Sequence, residues 1–268
     1  MDVQSTLPLH SGREMPMLGL GTWQLTHDTA ATVEEALRLG YRMIDTAVDY
    51  ETQPGIGEGI RRSGLDRQDF YLVTKVEENE DAYRGTVRDL RELDLDHADL
   101  MLLHRPPPGG AGQELWAGLI RAKEDGLTRD IGVSNYKIEQ IEELIDATGE
   151  VPTVNQIEWT PFGWSPQMLD YCRQRRIVVQ AYSPLTRAER LTDDKLAGIA
   201  SEYGKSPAQV LIRWNLQRGV SAIPKANRRD HLTENLEVFD FELADTHMEQ
   251  LNGLDEHWSA LGPAPMYV

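Results

Sequence analysis

Short apolar runs rich in β-branched residues alternate with amphipathic stretches along the whole chain, the rhythm of parallel strands joined by crossover helices. After a hairpin expected around residues 7–17, the pattern predicts strands over 18–20, 42–45, 71–74, 99–103, 130–133, 153–157, 177–181 and 221–223. Between them it predicts helices over 30–39, around 57–63 and over 83–93. In the first of these Val33, Ala36 and Leu37 share a face and Gly40 supplies the stop. Each later strand is preceded by a stretch long enough for a helix, giving eight strand–helix units. The one dense Pro/Gly patch, 105–112, is short enough for a loop, so residues 1–268 are expected to form a single domain.

Eight parallel strands in order either close into a (β/α)₈ TIM barrel or spread into a doubly wound sheet, and periodicity does not choose. A doubly wound dinucleotide domain opens its first helix with Gly-x-Gly-x-x-Gly. Here Gly19-Leu20-Gly21-Thr22-Trp23-Gln24 lacks the third glycine, and Gly55-Ile56-Gly57-Glu58-Gly59 does not follow a strand. Both read as turn or close-packing glycines.

Composition removes several function classes. The chain has 44 acidic and 27 basic residues and a formal charge of -17, which opposes binding to a phosphate backbone, so no nucleic acid partner is expected. There is no run of 18 apolar residues, and residues 1–10 lack a basic stretch before an apolar block. Neither a membrane span nor a secretory signal is indicated, and a cytoplasmic location is expected. Cys172 is the single cysteine, which excludes an intrachain disulfide. His10, His27, His97, His231, His247 and His257 show no metal-ligand pairing, and no metal is expected. Only Lys75, Lys123, Lys137, Lys195, Lys205 and Lys225 are lysines. An acidic, lysine-poor surface fits either a protein kept soluble in high salt or a genome that favours arginine codons.

In a barrel the active site lies at the C-terminal ends of the strands. The polar residues that follow successive apolar runs are Asp45, with Tyr50 five residues on, then Lys75, then His104. A lysine ending such a run needs a partner, which Asp45 on the adjacent strand can supply. A phenol beside that ammonium is expected to have its pKa lowered toward the working range, and His104 to hydrogen-bond the same carbonyl oxygen. These are the parts that protonate an alkoxide as hydride reaches a carbonyl carbon. None is a hydride source, so a cofactor is implied.

The chain also carries Leu20-Gly21-Thr22-Trp23, Ile44-Asp45-Thr46-Ala47, Val73-Thr74-Lys75, Leu102-Leu103-His104, Gly132-Val133-Ser134-Asn135, Val154-Asn155-Gln156, Ala181-Tyr182-Ser183-Pro184-Leu185 and Ile223-Pro224-Lys225, with Glu234-Asn235-Leu236 downstream. With these strings in order, it resembles the aldo-keto reductase family over essentially its whole length, and its compact size is similar to the microbial 2,5-diketo-D-gluconate reductase type. The resemblance implies an NADPH-dependent reductase of aldehydes and ketones, folded as a (β/α)₈ barrel with an N-terminal hairpin cap and a C-terminal helix and loop, and acting as a monomer. It implies a catalytic tetrad of Asp45, Tyr50, Lys75 and His104, with Tyr50 as proton donor.

The resemblance further places Ser134, Asn135 and Gln156 on the nicotinamide carboxamide, Tyr182 against its ring, and Gly21, Thr22 and Asp45 along its ribose. Ser183 and Leu185 line the pyrophosphate path. Pro224, Lys225, Ala226 and Asn227, with Arg228 and Arg229 nearby, form the 2′-phosphate end, where Lys225 favours NADPH over NADH. Glu234 and Asn235 contact the adenine. Ala226 stands where the family usually has Ser, and His231 where Arg often sits, which leaves open compensation by Asn227 and Arg228 or use of NADH as well. Arg105 replaces the family's usual Trp and either meets a substrate carboxylate or points to solvent, the second being preferred. Trp23, Tyr50, His104, Arg105, Trp159 and Trp164 are the candidate pocket lining for a small carbonyl substrate. Specificity is expected to reside in loops 105–113 and 159–166 and in the tail 256–268. The alternative function is an NADPH-binding barrel that serves regulation or interaction without turnover.

Overall fold

The computed structural model describes residues 1–25 and 27–267; Val268, the last residue of the expected specificity tail, lies outside them. Strands β3 (Leu20–Gly21), β4 (Met43–Asp45), β5 (Tyr71–Val76), β6 (Ala98–Leu103), β7 (Thr128–Ser134), β8 (Val154–Glu158), β9 (Val178–Tyr182) and β10 (Ser221–Ala222) pair in parallel, each with the next in chain order. The ring closes where Leu18 bridges Ala222, the Gly19 N–H donating to the Ala222 carbonyl at 2.9 Å and the Gly21 N–H to the Pro224 carbonyl at 3.1 Å. The first predicted strand is thus divided, with Leu18 on the seam and Leu20–Gly21 pairing β4. Glycine is required at this seam, because a Cβ on Gly21 would lie 2.5 Å from the Ile223 carbonyl oxygen.

Strand parity decides what fills the barrel, since alternate side chains point inward. Met43, Tyr71, Val73, Leu100, Leu102, Val154, Val178 and Ile223 form one buried interior cluster, and Leu9 and Met15 plug its floor. They come from the hairpin of β1 (Thr6–Pro8) and β2 (Glu14–Pro16), which pairs antiparallel with Thr6 opposite Pro16.

The outer layer runs through α1 (Thr29–Leu39), α2 (Gln53–Ser63), α3 (Ala82–Leu93), α4 (Gln113–Glu124), α5 (Ile138–Thr148), α6 (Pro166–Arg175), α7 (Asp194–Tyr203) and α8 (Pro207–Gln217), followed by α9 (Arg229–Leu236) and α10 (Asp245–Asn252). Two helices, α7 and α8, occupy the last crossover. Asp28 caps α1 by accepting from the Ala31 N–H at 3.0 Å, and Gly40 ends it at φ 113°. Helix α2 begins four residues before the expected start, although three glycines weaken its propensity. The reason is packing: a Cβ on Gly57 would meet the Leu93 carbonyl oxygen at 2.3 Å, and one on Gly59 the Ala30 carbonyl oxygen at 2.6 Å. The glycines let α2 approach α1 and α3 closely, and burial offsets a propensity cost of roughly 1 kcal/mol each.

Candidate active site

The parity that fills the barrel with Met43, with Tyr71 and Val73, and with Leu100 and Leu102 continues upward to Asp45, Lys75 and His104. All three therefore face the mouth. Strand β5 runs to Val76, so Lys75 lies inside the strand, fully buried, rather than at its end. Its Nζ donates to Asp45 Oδ1 at 2.8 Å, to the Thr46 carbonyl at 2.8 Å and to the Tyr50 hydroxyl at 3.3 Å. Tyr50 arrives on the 3₁₀ turn Val48–Tyr50 after β4 and meets the His104 ring edge to face, with centroids 5.8 Å apart. The structure brings all four expected catalytic side chains together.

The field around the phenol differs from the sequence expectation. Burial, followed by the negative charges of Asp45, Asp49 and Glu77, raises the Tyr50 pKa well above its ordinary value, with Arg105 opposing. The phenol stays protonated, as a donor must. Burial lowers the Lys75 pKa, against the pull of Asp45, Glu77 and Asp49.

Glu77 was not among the sequence candidates. It stands two residues beyond Lys75, and its Oε1 lies 2.6 Å from His104 Nδ1. Burial pushes its carboxyl upward, but the bond to His104 and the charges of His104 and Arg105 outweigh this and hold it below the usual range. Arg105 does not point freely to solvent: Nη2 donates to Asp49 at 3.0 Å, and Nη1 lies 3.6 Å from Glu78 and 3.9 Å from Glu77. Ligand atoms of Asp49, Glu77 and His104 lie within 4.8 Å of one another, a trio with metal-binding composition that spacing did not disclose. The guanidinium bridging Asp49 and Glu77 places a positive charge of the protein's own there.

Polar groups expected to hold the nicotinamide join a belt across the barrel that reaches Asp45 and His104 of the tetrad. Gln156 donates to Asp45 Oδ2 at 2.6 Å and to Gln180 at 2.7 Å, and Gln180 donates to Ser221 at 3.3 Å. Asn135, at φ 68°, donates to the His104 carbonyl at 3.1 Å and accepts from the Tyr182 hydroxyl at 2.7 Å. Ser134 donates to the Gln156 carbonyl and Thr22 to the Asp45 carbonyl, both at 2.8 Å. Ser183, also at positive φ, precedes the half-buried Leu185.

After β10, Pro224 and Ala226 are buried while Lys225 and Arg228 are exposed. Asn227 Oδ1 is buried without a hydrogen-bond partner among the described residues, as expected of a group that a nucleotide would satisfy, whereas the buried Asn235 side chain lies against the Tyr41 hydroxyl. Glu234 is half-buried beside them on α9. Arg229, expected near the phosphate, is exposed and pairs with Glu35 of α1. His231 contacts the Arg228 guanidinium instead of standing alone.

Of the expected pocket aromatics, only the half-buried Trp23 and Tyr50 reach the mouth. The Arg187 guanidinium, on the loop after β9, stacks 4.1 Å above Trp23. Trp159 is fully buried, 5.7 Å from Tyr267 of the tail. Trp164 is also buried: its Nε1 donates to the Asn252 carbonyl at 3.2 Å, and the Arg218 guanidinium sits 3.9 Å above its ring. Both pack the tail and α10 onto the barrel rather than walling the pocket. The tail is fastened there by the buried Glu158, which accepts from Ser259 and, at 2.8 Å, from the Ala260 N–H.

The sequence model of the Aldo/keto reductase family matches residues 17–256. Glyoxal reductase of Bacillus subtilis is 37% identical over 269 residues, covering 98% of this chain and 97% of its own. A solved aldo/keto reductase from Brucella melitensis superposes with a TM-score of 0.88 at 36% identity, covering 94% of this chain and 99% of that one. The Bombyx mori aldo-keto reductase solved with NADP gives a TM-score of 0.91 at 28% identity over 98% of this chain and 96% of that one.

Proposed function

The chain belongs to the aldo/keto reductase family and is an NADPH-dependent carbonyl reductase, and from that premise we propose that Asp45, Tyr50, Lys75 and His104 carry out its proton transfer. The observation that carries this assignment is the fully buried Lys75 ammonium, 2.8 Å from Asp45 and 3.3 Å from the Tyr50 hydroxyl. Tyr50, protonated, donates to the carbonyl oxygen as negative charge develops on it. Lys75 then stabilises the oxygen that has lost its proton, and Asp45 keeps Lys75 charged and in place. NADPH, when bound, supplies the hydride.

Lys225, Asn227 and Arg228 would hold the 2′-phosphate, and Asn235 and Glu234 the adenine. Ser134, Asn135 and Gln156 would meet the carboxamide, with Tyr182 against the ring. The orphaned Oδ1 of Asn227 supports this fit. The activity in the name of the Bacillus relative extends the substrate range from aldehydes to small α-dicarbonyls.

The test is NADPH oxidation with a panel of aldehydes. Tyr50→Phe is expected to lower kcat by about 1,000-fold while cofactor affinity is unchanged. Equal turnover in the two proteins would place proton donation elsewhere.

A further inference from the structure

We propose that Gln53 is a positioning residue for proton transfer: its buried amide ties the turn that carries Tyr50 to the outer side of β5 at Thr74, and so sets the Tyr50 hydroxyl against Lys75. The inference rests on the reading of Tyr50 as proton donor and goes beyond it in naming what holds the donor in place.

The turn Val48–Tyr50 needs such a tie, because none of its three residues is buried. Its own backbone bonds are local, from the Tyr50 N–H to the Ala47 carbonyl at 3.2 Å and from the Glu51 N–H to the Val48 carbonyl at 3.0 Å. The first N–H of a helical turn, here that of Val48, has no acceptor within the turn. Asp49 does pair with Arg105, but the two side chains are 39% and 40% exposed, and a pair so open to water is a weak anchor.

Gln53, the first residue of α2 and fully buried, supplies the missing acceptor. Its amide oxygen accepts from the Val48 N–H at 3.2 Å and from the Thr74 hydroxyl at 2.9 Å, and its nitrogen donates to Glu92 of α3 at 3.1 Å. The Val48 N–H only donates and the Glu92 carboxylate only accepts, which fixes the amide with its oxygen toward the turn. Thr74 is fully buried too, and lies between Val73 and Lys75. Strand parity turns it out of the barrel where Lys75 turns in. One oxygen therefore joins the strand residue beside the ammonium to the turn that ends in the phenol. The distance it governs is the 3.3 Å between Lys75 Nζ and the Tyr50 hydroxyl. Misplacement of a reacting group by about 1 Å costs on the order of 100-fold in rate.

The experiment uses Gln53→Met, which keeps the length of the side chain without its bonds, and Thr74→Val, which keeps the shape of β5 without its hydroxyl. Aldehyde reduction with NADPH and the reverse oxidation of the alcohol with NADP are followed across a pH series. In the reverse direction hydride leaves the alcohol carbon for NADP and the hydroxyl proton passes to Tyr50, which must first have lost its own. The pH at which that rate rises therefore reads the phenol in the field of Lys75, Asp45, Asp49, Glu77, His104 and Arg105. Gln53→Met is expected to lower kcat by about 10- to 100-fold with NADPH affinity unchanged, and to move the rise upward by about one pH unit, because a phenolate drawn away from the ammonium is less stable. Thr74→Val is expected to move it the same way by less, and to add nothing in the Gln53→Met background. Lost stability alone would lower the rate at every pH and leave the rise where it is. An unmoved rise in Gln53→Met, or a full Thr74→Val effect in that background, would overturn the proposal. Where Gln53→Met does not fold, Thr74→Val decides by itself, and an unmoved rise in it is equally fatal. Turnover that survives Tyr50→Phe would count instead against the donor reading beneath.

Discussion

Around β4, β5 and β6 the charged side chains of the site pair with one another, whereas after β10 they face outward. Lys75 is bound to Asp45, Glu77 to His104, and Arg105 to Asp49 with Glu78 alongside. Lys225 and Arg228 are exposed, and among the described residues neither has a carboxylate within ion-pair distance. The first arrangement incurs the desolvation cost of burying charge and obtains fixed positions for a proton donor and its neighbours. The second keeps its charge for a ligand that brings the opposite sign.

Breaking the buried pair should have the largest effect. Lys75→Met leaves Asp45 buried without a counter-charge, and is expected to cost about 3–5 kcal/mol of stability in urea unfolding, together with nearly all turnover. Adding Asp45→Asn should recover most of the stability and none of the turnover. If the single variant unfolds like the wild type, the pairing is dispensable to the fold and the contrast fails.

At the outward-facing end, Lys225→Ala is expected to weaken NADPH by roughly 10- to 100-fold, the loss of one charge-assisted hydrogen bond, while NADH changes little. Titrations of both dinucleotides check it, and equal weakening would remove the 2′-phosphate assignment.

The smallest effect concerns a pair in which neutralisation is incomplete. Asp89 of α3 is buried beside Arg88 at 2.7 Å, with Oδ2 lacking a partner among the described residues, and burial raises its pKa to about 7 despite Arg88. Its folded pKa lies above the unfolded value of about 3.9, so its contribution is most favourable below that pH and is lost as pH rises toward 7. Asp89→Asn should therefore gain on the wild type by a few degrees in Tm between pH 5 and pH 8. A difference in Tm that does not vary with pH would refute the shift.

The tetrad was legible because strand parity carries the inward face of three apolar runs to Asp45, Lys75 and His104. Glu77 obeys the same parity but sits in Glu77-Glu78-Asn79-Glu80, which reads as a solvated charge run. Arg105 was misread for a related reason: its partners come from the ends of two other strands, and no local pattern records them. The direction of the Tyr50 shift depends on Asp49 and Glu77, so the lysine alone suggested the opposite sign. Trp164 looked like a loop aromatic at the mouth, and only the position of α10 and Arg218 shows it to be packing. The start of α2 escaped because glycine propensity is a local quantity and the close approach of Leu93 and Ala30 is not.

The hairpin plug and the fastened tail occupy opposite ends of the barrel: Leu9 and Met15 seal the floor, while Tyr267 lies 5.7 Å from Trp159 beneath the mouth. Anchoring the enzyme to a bead or electrode through the hairpin should leave the entrance open to diffusing reactants. A label or fusion attached near Tyr267 would instead press on the ring of loops through which they must pass.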